Sequence, residues 1–185
     1  IEFIYSDPRI QNPTEATADL RAERDALRAR LRARQSLVES ILEGQTAAVL
    51  VEAGFGLAGQ LVPPISMRFT EPPNLLVISP RDRIEFEYGC AVDALPADAQ
   101  NTLENEIEAA QEVSALIVPL GGIALYPAMI LERASIPASL ETFAHEWLHH
   151  YLLMYPLGLN YDLAPETRII NETTASLFGR EIGQR

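Results

Sequence analysis

The sequence predicts an α+β fold: a small mixed sheet packed on two C-terminal helices, with a helical arm at the N-terminus. Three observations carry this expectation. Residues 14–43 read as one long helix. The middle of the chain holds short strand-like runs separated by Pro-Pro pairs at 63–64 and 72–73. The last fifty residues hold two stretches of helical periodicity. With 185 residues, 48% of them hydrophobic, there is enough apolar material for one real core. The expected division is an arm over residues 1–45 and one domain over 46–185.

In the arm, Leu20, Leu27, Leu31, Val38 and Ile41 follow a near-heptad spacing, with Arg24 and Arg34 on the same stripe. Arg21, Arg24, Arg28, Arg30, Arg32 and Arg34 cluster with only Glu23 and Asp25 between them. A solvated helix pairing its arginines with nearby acids explains this, as does a short coiled coil that joins chains into an oligomer. A basic juxtamembrane arm is the sharper reading. Residue 1 is Ile, so the chain is expected to be trimmed, and residues 1–5 could be the tail of a removed signal or membrane anchor. That leaves the compartment open between a membrane-anchored or extracytoplasmic place and the cytoplasm.

The strand-like runs are residues 66–70, 75–79 and 84–88, the last because Ile84, Phe86 and Tyr88 alternate with Glu85 and Glu87. Residues 98–115 read as a helix with Leu103, Ile107, Ala110 and Ser114 on one face. Residues 47–62 are apolar but short, and Glu52 interrupts them. Residues 113–131 carry no charge and have the length of a membrane span. Pro119, Gly121, Gly122 and Pro127 divide that stretch, which favours a helix end, a Gly-Gly turn and a strand over 123–131.

The two C-terminal helices carry the chemistry. The pentad His145-Glu146-Trp147-Leu148-His149 is H-E-x-x-H, with Asn171-Glu172 downstream. Ser135 and Pro137 suit a cap and a first turn, and residues 138–154 run without Gly or Pro. Leu140, Phe143, Ala144, Trp147, Leu148 and Tyr151 give this helix a broad apolar face, so it should be mostly buried. Residues i and i+4 share a face, so His145 and His149 can point at one metal ion, with Glu146 beside it to take a proton from a metal-bound water. The plain alternative is two ordinary helix histidines around a solvated Glu. His150 points about 100° away and should lie beside the site or partly exposed.

A catalytic zinc takes three protein ligands and keeps one position open. The chain has three histidines and one cysteine, so the third ligand is an acid or Cys90. Glu172 is the best candidate. Residues 166–178 have helical periodicity after Pro165, Gly179 should cap or interrupt the helix, and Thr173, Thr174 and Ala175 are small enough to allow close helix approach. A surface role for Glu172 is the alternative. Cys90, being single, forms no intramolecular disulfide and is expected as a buried small hydrophobe.

His145, Glu146, His149, Asn171 and Glu172 resemble the motif of the gluzincin metallopeptidases, the thermolysin-like group with H-E-x-x-H and a ligand Glu on a following helix. The compact minigluzincin-like domains of that group fit a chain of this length. The resemblance covers about the last fifty residues. It implies Zn2+ held by His145, His149 and Glu172, a zinc-bound water activated by Glu146, and hydrolysis of a peptide or protein substrate, internal cleavage being favoured over terminal. It also implies that residues 123–131 form a cleft-edge strand to which a peptide adds. Two departures matter. Many members place an Asp four residues after the ligand Glu, where this chain has Ser176. They also use a later Tyr or His as a donor to the tetrahedral intermediate. Here Tyr151, Tyr155, Tyr161 and Arg168 are the nearby stand-ins, each with a structural role as its alternative.

The net charge of −12 argues against nucleic acid as a partner. All 14 basic residues are arginine. The competing readings are a catalytically inactive binding module on the same fold, a membrane-associated protease trimmed of its anchor, and an intramembrane protease if residues 113–131 span.

Overall fold

The computed structural model describes residues 4, 7, 9–93 and 95–185. The chain divides into two units, Ile1–Ile41 and Leu42–Arg185. Residues 1–5, read above as the tail of an anchor, lie outside the described residues except for residue 4.

From Pro13 onward the first unit is helical. A short helix α1 (Pro13–Ala16) starts at Asn12, whose side chain accepts from the Glu15 amide. Helix α2 (Ala18–Leu50) begins here and continues into the second unit. On its arm portion Leu20, Leu27, Leu31, Val38 and Ile41 are exposed, and Arg24 pairs with its neighbour Asp25.

Helix α2 runs further than residue 43. Leu42, Thr46 and Leu50, one turn apart, are all buried, and that burial carries the helix through Gly44. A π-helical turn (Val51–Phe55) follows, with Gly54 at φ 94°. The hairpin of β1 (Gly56–Leu57) and β2 (Gln60–Leu61) comes next. Residues 47–62 are thus a helix end and a hairpin. No helix among the described residues is long and apolar enough to cross a membrane.

Two three-stranded sheets follow. The first joins β3 (Met67–Thr70), β8 (Ala128–Leu131) and β7 (Gly122–Ile123) in the order β3-β8-β7, parallel then antiparallel, which makes it mixed. The Glu43 carboxylate of α2 fixes β3, accepting from the Met67 amide at 2.7 Å and from Ser66 Oγ at 3.1 Å. Strand β7 is the edge, so the expected single strand over 123–131 is two short strands. The second sheet joins β4 (Asn74–Pro80), β5 (Tyr88–Val92) and β6 (Val113–Pro119) in the antiparallel order β5-β4-β6.

Two expectations in this region fail. Residues 84–87 are not strand: Ile84 is fully exposed, and pairing starts at Tyr88, opposite Ile78. Phe86 packs toward the Arg168 guanidinium rather than into the sheet core, and it is core burial that fixes register. Helix α3 (Ala97–Ala110) ends before residue 115, and the charge-free stretch opens as β6. Its alternate residues Ala115 and Ile117 are buried with Leu76 against Leu103 and Ile107 of α3. Glu104 and Glu108 of α3 accept from the Ile117 and Ala115 amides at 2.6 and 3.0 Å, which satisfies the edge donors of β6. Cys90 is half-buried in this core.

Helix α4 (Ile136–Leu152), the turn α5 (Pro156–Leu159) and helix α6 (Pro165–Gly183) complete the domain. Phe143 of α4 packs on Met67, Ala128 and Ile130 of the mixed sheet. Ala144 and Trp147 pack on Leu50 and Ile182. The Trp147 indole donates to the Pro63 carbonyl at 3.1 Å. The domain is therefore α+β, with its small sheets packed against helices and a helix at the N-terminus.

Candidate metal centre

Helix α4 starts where its sequence says it should. Ser135 is the cap, accepting from the Ala138 amide, and Pro137 sits in the first turn. The buried face of Phe143, Ala144, Trp147 and Leu148 fixes the helix's rotation and turns His145 and His149 to a common side. Their Nε2 atoms stand 3.0 Å apart.

The second helix arrives through small residues. Ala175, Gly179 and Gly183 repeat every four positions and face α4. A β-carbon on Gly179 would stand 2.5 Å from the Glu141 carbonyl oxygen and 3.0 Å from His145 Cβ; one on Gly183 would stand 2.9 Å from the Glu141 amide nitrogen. Gly179 therefore neither caps nor interrupts α6, and the helix continues to Gly183 because glycine there permits contact. Ala175 is fully buried, whereas Thr173 and Thr174 are exposed and take no part in the approach.

This approach brings Glu172 to the histidines. Its carboxylate oxygens lie 3.4 Å from His145 Nε2 and 3.6 Å from His149 Nε2. A tetrahedral centre with bonds of about 2.0–2.1 Å has ligand atoms roughly 3.3 Å apart, by simple trigonometry on those lengths. The three separations lie near that value, although the two to Glu172 are made by different oxygens, Oε2 to His145 and Oε1 to His149, so the two imidazoles and this carboxylate are within reach of one small ion. Glu146 forms a cluster with the two histidines in which the ligating atoms of His145, Glu146 and His149 all lie within 4.8 Å of one another. Two carboxylates are therefore in reach, with different surroundings. Glu172 touches both Nε2 atoms from a second helix. Glu146, adjacent to His145 on α4, turns away toward the edge strand, where a β-carbon on Gly122 would stand 2.7 Å from its Oε1.

Electrostatics separate the two acids further. Burial raises the Glu146 carboxyl above its ordinary range, against the opposing pull of His145 and His149. Burial would also raise Glu172, but hydrogen bonds from His145, His149 and Tyr161 outweigh it and hold Glu172 well below the usual carboxylate range. Burial pulls His149 down, and the neighbouring carboxylates of Glu172 and Glu146 together with the Asn171 hydrogen bond more than reverse this, so its net shift is upward. The Tyr161 hydroxyl, which donates to Glu172 Oε1, is raised by burial and by that carboxylate.

One orienting residue was not assigned a role from the sequence. Asn171 is buried, with its Oδ1 2.8 Å from His149 Nδ1 and its Nδ2 donating to the Leu157 carbonyl at 3.2 Å. A carbonyl can only accept, so it fixes which end of the amide is nitrogen. Oδ1 then faces the imidazole and Nδ1 carries a proton, so when the ring of His149 is neutral its Nε2 keeps the lone pair toward the site. The adjacency of Asn171 to Glu172 was visible in the sequence, but its target was not.

The remaining candidates divide. His150 turns toward Tyr126, the ring centroids 6.1 Å apart, and is half-buried. Ser176 is exposed on the cleft wall and makes no hydrogen bond to either imidazole among the described residues. Tyr151 and Tyr155 bond each other at 2.9 Å, away from the cleft. Tyr161 and Arg168 do line the cleft, which has a volume of about 1260 Å3. Its walls are the pentad face of α4, residues 120–124 around β7, and Leu75, Val77 and Phe86 from the second sheet and its loop.

Comparison of the chain with models of known families, with curated proteins and with solved structures finds no match.

Proposed function

We propose that this chain is a zinc-dependent peptidase of the gluzincin type, with His145, His149 and Glu172 as metal ligands and Glu146 as general base. The observation that carries the reading is the convergence of two imidazole nitrogens and the two oxygens of one carboxylate at 3.0–3.6 Å, with a second, differently tuned carboxylate beside the imidazoles. Nitrogen and oxygen donors in that geometry suit zinc. Bound there, zinc would supply a Lewis acid and lower the pKa of a water.

The chain's own residues do the rest. Asn171 holds His149 in the tautomer that ligates. Tyr161 holds one oxygen of Glu172. Glu146, buried and raised, is a stronger base than a solvated carboxylate and is placed to take a proton from the attacking water and return it to the leaving amine. Strand β7, an edge lining the cleft, offers unpaired backbone groups to an extended peptide.

The test is Glu146→Gln, with metal content measured alongside cleavage of a mixed peptide library. Gln is nearly isosteric and accepts no proton. The variant should keep about one equivalent of zinc and lose at least ~10²-fold of chelator-sensitive cleavage. Chelator-sensitive cleavage unchanged in the variant removes Glu146 from its role. A zinc-loaded wild type that cleaves no peptide favours the binding-module reading instead.

A further inference from the structure

Arg168 is the only arginine among the described residues lining the cleft; the other ionisable groups there are histidines, Tyr161 and the acids Glu141, Glu146, Asp162 and Glu172. The domain Leu42–Arg185 holds seven of the chain's 14 arginines and 19 of its 26 acids, so it carries the whole net charge of −12. In such a field, a lone cation beside a metal site decides where an anionic group of a ligand settles.

Arg168 is also held ready. Its guanidinium carbon lies 4.5 Å from the centroid of the Phe86 ring and 5.2 Å from that of Tyr161. Two aromatic contacts restrict the guanidinium, so less side-chain freedom is lost when a ligand arrives. Its one ionic partner among the described residues is Asp162, reached through a single nitrogen. The Asp162 side chain is 76% exposed. An exposed pair of this kind contributes little, so another carboxylate can displace it. Asp162 thus occupies the position that a ligand's carboxylate would take.

We propose that Arg168 anchors the C-terminal carboxylate of a peptide whose scissile bond lies at the metal centre. The chemistry matches, since a planar guanidinium pairs with a carboxylate through two parallel hydrogen bonds. The spacing matches as well. Arg168 precedes Glu172 by four residues, just over one helical turn and about 6 Å along the axis, and an extended peptide advances about 3.4 Å per residue. A carboxylate at Arg168 therefore belongs to a chain ending on the order of one or two residues beyond the scissile bond. Phe86 lies beside Arg168, and Leu163, Leu75 and Val77 also line the cleft, which suits a bulky apolar side chain on the terminal residues. The expected substrate class shifts from internal segments toward peptide C-termini. The inference rests on the peptidase reading for the reaction but not for the binding.

Binding is therefore what the experiment reads. An N-acetylated tripeptide ending in leucine, as free acid and as amide, is titrated calorimetrically into the full chain carrying Glu146→Gln, with zinc and after chelation. The free acid should bind about tenfold more tightly than the amide, the scale of one charge-assisted contact. The preference should persist without zinc, disappear in Arg168→Met and return in part in Arg168→Lys. Asp162→Asn, which removes the competing carboxylate, should tighten acid binding several-fold and leave the amide unchanged; a purely structural Arg168 would not produce this. Equal binding of acid and amide overturns the proposal, as does a preference that survives Arg168→Met or exists only with zinc, since the metal would then be the anchor. Acid-selective binding in a zinc-loaded wild type that cleaves nothing would sink the peptidase reading and leave the anchor standing.

Discussion

The two walls of the cleft are built on opposite principles. One wall is α4 and α6 on the mixed sheet; its buried core runs from 0% exposure at Ile130, Ala144 and Ala175 to 6% at Ile182, and its helices meet with glycine against backbone. The other wall is the antiparallel sheet on α3. Its core residues Leu76, Ala115 and Ile117 are 6–8% exposed, and its second face leaves Leu75 and Val77 on the cleft and Leu116 57% exposed. The difference teaches a division of labour. The dense wall holds side chains to within a few tenths of an ångström, as a metal centre requires. The open wall offers an apolar surface that tolerates different occupants.

The largest expected break in this contrast is Gly179→Val. The added side chain enters the space of the Glu141 carbonyl, so the variant should lose about 3 kcal/mol of stability, the upper end for overpacking, together with stoichiometric zinc. Ile117→Ala in the open wall should cost about 2 kcal/mol yet keep zinc affinity within about twofold, because distant sites act independently. Denaturant unfolding and metal titration on the two variants decide this. Equal loss of zinc in both would mean that the walls are one cooperative unit.

A smaller effect sharpens the picture inside the dense wall. Asn171→Ala should weaken zinc about 10–100-fold, the usual consequence of losing a partner that orients a ligand. Ser176→Ala should change affinity less than twofold. The reverse order would make Ser176 the orienting group.

The smallest effect is in pH. In the metal-free protein His149 is raised by Glu172, despite burial, above its unfolded value. That contribution to stability is complete below the unfolded pKa, near 6.5, and is lost as pH rises through the folded value. Zinc requires the neutral ring, so the rise in Tm on adding zinc should be greater at pH 8 than at pH 6. Scanning calorimetry at both values checks it, and a larger rise at pH 6 would contradict the raised His149.

What the sequence made legible follows from locality. The pentad helix was readable because its cap, its first-turn proline and its apolar face all lie within the segment itself. The Glu172 helix was readable for its periodicity but misread at Gly179, because the contact that keeps the helix going is with Glu141 on another element. The same holds for residues 84–88, whose alternation imitates a strand, while the pairing that counts is Leu76 with Cys90 and Ile117. The role of Asn171 needed Leu157 in place before the amide had a direction.

The grip on α4 by glycines has a consequence for inheritance. Gly122 meets Thr142 and Glu146 from one side, and Gly179 and Gly183 meet Glu141 and His145 from the other. Glycine has no smaller neighbour in the genetic code, so every missense change at these three codons adds volume where there is none. Positions that donate nothing to a metal or a substrate thereby become as intolerant of mutation as the ligands themselves. A lineage that preserved the pentad and Glu172 but let these codons drift would keep the letters of the motif and lose the geometry.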